Sequence, residues 1–138
     1  FCGYHIGDYY EHWFRMGDKL GAKAPKIFYV NWFRKSPEGK WLWPGYGENS
    51  RVLKWMCERV EGQVGAQETP IGWMPKAGDL DVSGLKVSSA DLAELLRVDV
   101  AAWKNEIPDI ADHLDTAGAR LPARMKAQFE ALKKRLGA

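Results

Sequence analysis

The chain has 138 residues, 46% of them hydrophobic and 28% charged, the ordinary composition of one globular domain. Its net charge of +2 is too mild to announce a nucleic-acid partner, which normally shows as a clustered basic face. Cys2 and Cys57 form neither a metal spacing nor a disulfide framework, so a reducing, cytoplasmic setting is expected. No apolar run approaches the roughly 18 residues that span a membrane, and no charged-then-apolar leader opens the chain. The first residue is Phe rather than Met, and the expectation is a piece of something longer.

In chain order, Ile6, Tyr9, Tyr10, Trp13 and Phe14 recur at helical spacing over about residues 7–20, with Gly21 as the stop. The run KIFYVNWF after Pro25 is β-branched and aromatic and predicts a buried strand. Pro37 and Gly39 then turn the chain, so a short extended piece at residues 41–43 folds back on the first. A helix is expected from Asn49 or Ser50, both good caps, with Val52, Leu53, Met56 and Val60 facing inward and Gly62 ending it. TPIGWMP predicts a short extended segment, and AGDLDVSGLKV a loop. Ser88, three residues before Asp91, opens a helical region through Leu92, Leu95 and Leu96 that continues over Val100, Trp103, Ile107, Ile110 and Leu114, broken near Pro108. After Pro122 a last helix carries Met125, Phe129, Leu132 and Leu136 on a core-facing stripe.

Charge is unevenly placed: residues 79–115 hold nine carboxylates, whereas residues 119–138 hold six basic side chains against Glu130 alone. Either the C-terminal segment docks on the acidic one, or both are solvated helix faces. Chemistry of the commoner catalytic kinds is missing. Gly39-Lys40 fails as a phosphate loop, because Arg34 stands where a glycine is needed and Trp41 where Ser or Thr is needed. His5, His12 and His113 make no metal constellation, and no Ser or Cys occupies a nucleophile elbow.

The stretch VNWFRKSPEGKWLWPGYGENSRVLKWM crowds Trp32, Phe33, Trp41, Trp43, Tyr46 and Trp55 into 24 positions. One reading is an aromatic hairpin core. The other is a clamp for a flat base, since stacking on an aromatic contributes roughly 1–3 kcal/mol without distinguishing bases. Discrimination then falls to hydrogen bonds: Asn49 carries both a donor and an acceptor and enforces guanine only if its orientation is fixed by neighbours. Gly45 and Gly47 allow backbone amides to approach the base closely.

Read whole, PKIFYVNWFRKSPEGKWLWPGYGENSRVLKWM resembles the guanine-binding segment of the GTP-dependent phosphoenolpyruvate carboxykinases. The likeness runs over the whole chain: FCGYHIGDYYEHW is similar to the segment after the active-site lid, and TPIGWMP with the following helices to the C-terminal end. It implies an α/β (α+β) fold, the C-terminal part of a nucleotide-binding domain. Residues 1–26 are then the helix after the lid, 27–62 the guanine-binding segment, 63–87 extended or loop, and 88–138 the C-terminal helices.

The resemblance further implies that Phe33 and Tyr46 sandwich guanine, Trp41 lines the pocket, Asn49 bonds the base edge and Trp32 packs behind. Trp43 and Trp55 are core. Trp41 and Tyr46 stand where phenylalanine is common in the family, and both keep the ring. The implied enzyme converts oxaloacetate and GTP into phosphoenolpyruvate, GDP and carbon dioxide with Mn2+ and Mg2+, as a cytoplasmic monomer that binds no nucleic acid or membrane. Its phosphate loop, metal ligands, oxaloacetate-binding arginines and lid belong to sequence before Phe1, so this segment selects the nucleotide without catalysing alone. The competing class is a non-enzymatic aromatic module for single-stranded nucleic acid or a peptide.

Overall fold

The computed structural model describes residues 2–138. Among the described residues six α-helices, α1 (Ile6–Leu20), α2 (Asn49–Val60), α3 (Ser89–Leu96), α4 (Val100–Asn105), α5 (Ile107–Asp115) and α6 (Ala123–Leu136), accompany one antiparallel hairpin, β1 (Gln67–Thr69) with β2 (Gly72–Met74). The fold is therefore mixed and helix-rich. The chain divides into two compact units: Phe1–Pro25 with Asp99–Ala138, and Lys26–Val98.

In the first unit, His5 caps α1 by accepting the Gly7 N–H on Nδ1 at 3.1 Å. Gly21 ends the helix at φ +52°, where a side chain is disfavoured. Ile6, Tyr9, Tyr10 and Phe14 are half-buried, while Trp13 stays exposed against Tyr9. Asp99 caps α4 through the Ala102 N–H, and Pro108 lies in the first turn of α5, where its missing N–H costs nothing. The expected break at Pro108 is thus a helix start. Leu114, Ala117 and Leu136 are buried, and Met125, Phe129 and Leu132 of α6 are half-buried on the expected stripe.

Two of the basic C-terminal residues pair with α1, while α6 itself packs on α4 within the acidic stretch. Arg120 pairs with Asp8 at 3.0 Å, and Arg124 with Asp18 at 2.8 Å while its guanidinium lies over the Phe14 ring. Carboxylates near the two ends of α1 therefore meet two of the C-terminal basic side chains.

In the second unit the core is Leu42, Trp43, Trp55 and Leu80. The run over residues 26–34 belongs to no strand, and it turns at Trp32 and Phe33. Phe28, Val30 and Trp32 alternate inward, half-buried, whereas Ile27 and Tyr29 face solvent, Tyr29 at 91% exposure. Among the described residues no strand lies alongside to complete a ladder, so the segment packs by one face only, Phe28 edge-on to Trp55. The fold-back does form: Lys35 and Trp41 make an antiparallel bridge closed by Ser36 and Gly39, the latter at φ +82°.

Helix α2 differs from expectation at both faces. It starts at Asn49, but no side chain caps it, and Leu53 and Val60 are exposed because Trp55 takes the inward stripe. TPIGWMP is one arm and the turn of the β1–β2 hairpin rather than a single extended piece; Thr69 Oγ1 donates to the Gly72 carbonyl at 2.6 Å across it. Ser88 caps α3 as expected, accepting the Asp91 N–H at 3.0 Å.

Candidate functional site

Every residue singled out for base binding belongs to the second unit. Asn31 Oδ1 accepts the Phe33 N–H at 2.9 Å, a local turn that throws the Phe33 ring outward to 74% exposure. Arg34 anchors the segment from its other side. Its guanidinium donates to the Arg97 carbonyl at 2.8 Å and the Leu95 carbonyl at 3.3 Å, at the C-terminal end of α3, and to Glu94 at 3.2 Å. Lys40 reaches Asp91 at 2.9 Å, so the lysine of the rejected phosphate-loop match is committed to a carboxylate.

Phe33 meets Trp41 edge-on, with ring centroids 5.9 Å apart at 70°. The Lys35 ammonium sits 4.2 Å over the Trp41 ring. With one face under a cation and its rim against Phe33, Trp41 at 51% exposure is placed as a wall rather than as one half of a sandwich. Tyr46, 92% exposed, touches no other ring among the described residues. Its position follows from Gly45, whose φ of +124° and ψ of −175° lie in a region essentially restricted to glycine. Gly47 has open space where a Cβ would stand.

Behind these exposed rings lies a buried line of support. Trp32 packs on Trp43, centroids 6.2 Å apart, and the Trp43 indole N–H donates to Asn49 Oδ1 at 2.8 Å. Trp32 thus backs the site through Trp43. Asn49 is half-buried at the first turn of α2, following the turn Tyr46–Glu48 whose Tyr46 carbonyl accepts the Asn49 N–H. Trp43, read from the sequence as core alone, is buried at 6% exposure and is also bonded to the amide side chain among the site candidates. No spacing rule points to that bond, because it closes over the Pro44–Glu48 loop.

The charged groups nearby are structural. Hydrogen bonds from the Lys40 ammonium and then the Ser88 hydroxyl hold the Asp91 carboxyl below its ordinary value, and Arg97 chiefly does the same for Glu94. Among the described residues no three of His, Cys, Asp and Glu gather where they could hold a metal ion. An open groove beside α3, lined mainly by Ala90, Leu92, Ala93 and Leu96, includes none of the exposed rings. No helix among the described residues is long and apolar enough to cross a membrane.

Residues 1–135 match the family described as the phosphoenolpyruvate carboxykinase C-terminal P-loop domain. The chain is 53% identical over 138 residues to a protein of Treponema pallidum (strain Nichols) named phosphoenolpyruvate carboxykinase (GTP), covering 99% of this chain and 22% of that one. Proteins of the same name from Neocallimastix frontalis and Corynebacterium glutamicum (strain R) are 53% identical over 140 residues and 49% identical over 138 residues, each matching 100% of this chain and 23% of the relative. The chain thus spans under a quarter of the length of these relatives.

Proposed function

The chain belongs to the family of the phosphoenolpyruvate carboxykinase C-terminal P-loop domain, and from that premise we propose that it is the guanine-binding segment of a GTP-dependent phosphoenolpyruvate carboxykinase. In this reading the complete enzyme, a cytoplasmic monomer, converts oxaloacetate and GTP into phosphoenolpyruvate, GDP and carbon dioxide. Residues 26–98 belong to its nucleotide-binding domain and select the nucleotide. Catalysis rests on groups outside the segment. Mn2+ and Mg2+ serve the complete enzyme and are held by ligands outside the segment.

The observation that carries the reading is the display of Phe33, Trp41 and Tyr46 as exposed rings in the same short stretch as Asn49. Exposed aromatics in contact with one another, as Phe33 and Trp41 are, form the kind of contiguous apolar surface that marks a ligand or partner site. Phe33 and Tyr46 stack on the two faces of guanine, Trp41 bounds the pocket, and Asn49 meets the base edge. Gly45 and Gly47 keep side chains out of the base's way. A strand-tracking nucleic-acid module fits less well, because Arg34, Lys40 and Arg51 are already paired with Glu94, Asp91 and Glu48, whereas such binders spend their cations on phosphates.

The test is titration of the full-length protein with GDP and ADP at two salt concentrations, followed by tryptophan fluorescence. Guanine preference that persists at high salt is the expected result. Phe33→Ala should weaken both nucleotides by about 1–3 kcal/mol, since stacking is indifferent to the base. Asn49→Ala should weaken GDP selectively. Equal binding of GDP and ADP by the unaltered protein, or affinity that collapses with salt, refutes the reading.

A further inference from the structure

We propose that Trp43 is the positioning residue that makes this site choose a 6-oxopurine, by locking the Asn49 amide with its NH2 group toward the base. The proposal rests on the guanine-binding reading above and deepens it.

An amide side chain is ambiguous: turned one way it offers an oxygen, turned the other an NH2 group, and it then accepts either purine. The Trp43 bond removes the ambiguity. An indole N–H can only donate, so the Asn49 atom 2.8 Å from Trp43 Nε1 has to be the oxygen, however the amide is drawn. The NH2 group is left at the opposite edge of the planar amide, with no protein hydrogen-bond partner among the described residues. It is a committed donor.

Guanine and hypoxanthine present a carbonyl acceptor at position 6, where adenine and 2,6-diaminopurine present an amino donor. A fixed NH2 group pairs with the first and leaves two donors opposed in the second. The lock is stiff because Trp43 is buried at 6% exposure and backed by Trp32. Nor is the bond forced merely by burial of an indole. Trp55, buried at 4% exposure in the same unit, has an indole N–H with no partner among the described residues, so the fold accommodates an unpaired indole and position 43 is paired by placement.

The experiment measures binding of GDP, ADP and the diphosphate of 2,6-diaminopurine riboside to the full-length protein by calorimetry. The diaminopurine nucleotide keeps the 2-amino group of guanine and changes position 6 together with the N1 proton; the N1 difference is common to every variant, so the change between unaltered protein and variant in the ratio of its dissociation constant to that of GDP reads the amide orientation. Trp43→Phe keeps a buried ring and removes the N–H. It should cut that ratio about fivefold or more, chiefly by tightening the 6-amino nucleotide as the amide becomes free to turn, with GDP little changed. A merely structural loosening weakens both nucleotides together and leaves the ratio alone.

Asn49→Asp gives an independent reading that holds even if Trp43→Phe does not fold. One carboxylate oxygen still accepts from Trp43, and the other presents an acceptor to position 6, so the preference should invert toward diaminopurine. An unchanged ratio in Trp43→Phe, or retained guanine preference in Asn49→Asp, overturns the proposal while leaving the base site standing. Absence of guanine preference in the unaltered protein overturns the site reading, and this proposal with it.

Discussion

Gly7 and Gly17 lie on the same helix, α1, in different surroundings, and the pair isolates one packing contact. A Cβ at Gly7 would run into the Arg120 carbonyl oxygen and stand 2.9 Å from Arg120 C and Cβ. These atoms belong to the turn Gly118–Arg120 and cannot swing aside as the tip of a long side chain can. At Gly17 a Cβ meets nothing within 4 Å. Replacing glycine by alanine within a helix stabilises by up to about 1 kcal/mol, somewhat less in the first turn where Gly7 sits. Forcing an extra methyl into a packed contact costs about 1–3 kcal/mol. Gly17→Ala should therefore stabilise by about 0.5–1 kcal/mol, and Gly7→Ala should fall below it by about 1–3 kcal/mol, the propensity gain largely cancelling between them. Urea denaturation of both variants, followed by far-ultraviolet circular dichroism, gives the two values. Equal stability of the variants would refute the close approach of α1 to the turn.

Acid should weaken the Lys26–Val98 unit. Asp91 is held below its ordinary value by hydrogen bonds from Lys40 and then Ser88, Asp81 by Ser83, and Glu94 chiefly by Arg97. A carboxyl depressed in the folded state stabilises fully above its unfolded pKa, and that contribution drains away as pH falls through the folded pKa. The urea midpoint should drop through the acid range, less steeply in Asp91→Asn; an identical slope in the variant rules out the Lys40–Asp91 contact as a source. The Arg124–Asp18 pair is more than half exposed on both sides. Asp18→Asn should accordingly cost under about 1 kcal/mol and only at low salt, so a loss that persists in high salt would contradict an exposed pair.

Local punctuation was legible because it depends on single residues. Ser88 caps α3, Gly21 ends α1 and Gly39 turns the fold-back, each for a reason that its own side chain, or lack of one, supplies. Pairing was less legible. The run over residues 27–30 has the β-branched and aromatic composition of a strand, but a strand also needs a neighbour, and no property of Ile27 or Tyr29 says whether one lies alongside. The C-terminal basic side chains were similarly visible as charge, while their partners Asp8 and Asp18 stand more than a hundred residues away.

The candidate site divides along the same line. Its ring types, its glycines and Asn49 could be named from the sequence, but the orientation of Asn49 could not, and the reason lies in how α2 begins. Asn is a strong helix cap, and a capping role would turn its oxygen toward the amides of its own helix. Here the turn Tyr46–Glu48 supplies a backbone acceptor to the Asn49 N–H, and α2 starts with no side-chain cap. The side chain is thereby released from the helix, its oxygen goes to Trp43, and its NH2 group is left facing away. A residue that reads as helix punctuation is bonded to a buried indole instead, because Glu48 rather than Asn49 holds the cap position of α2.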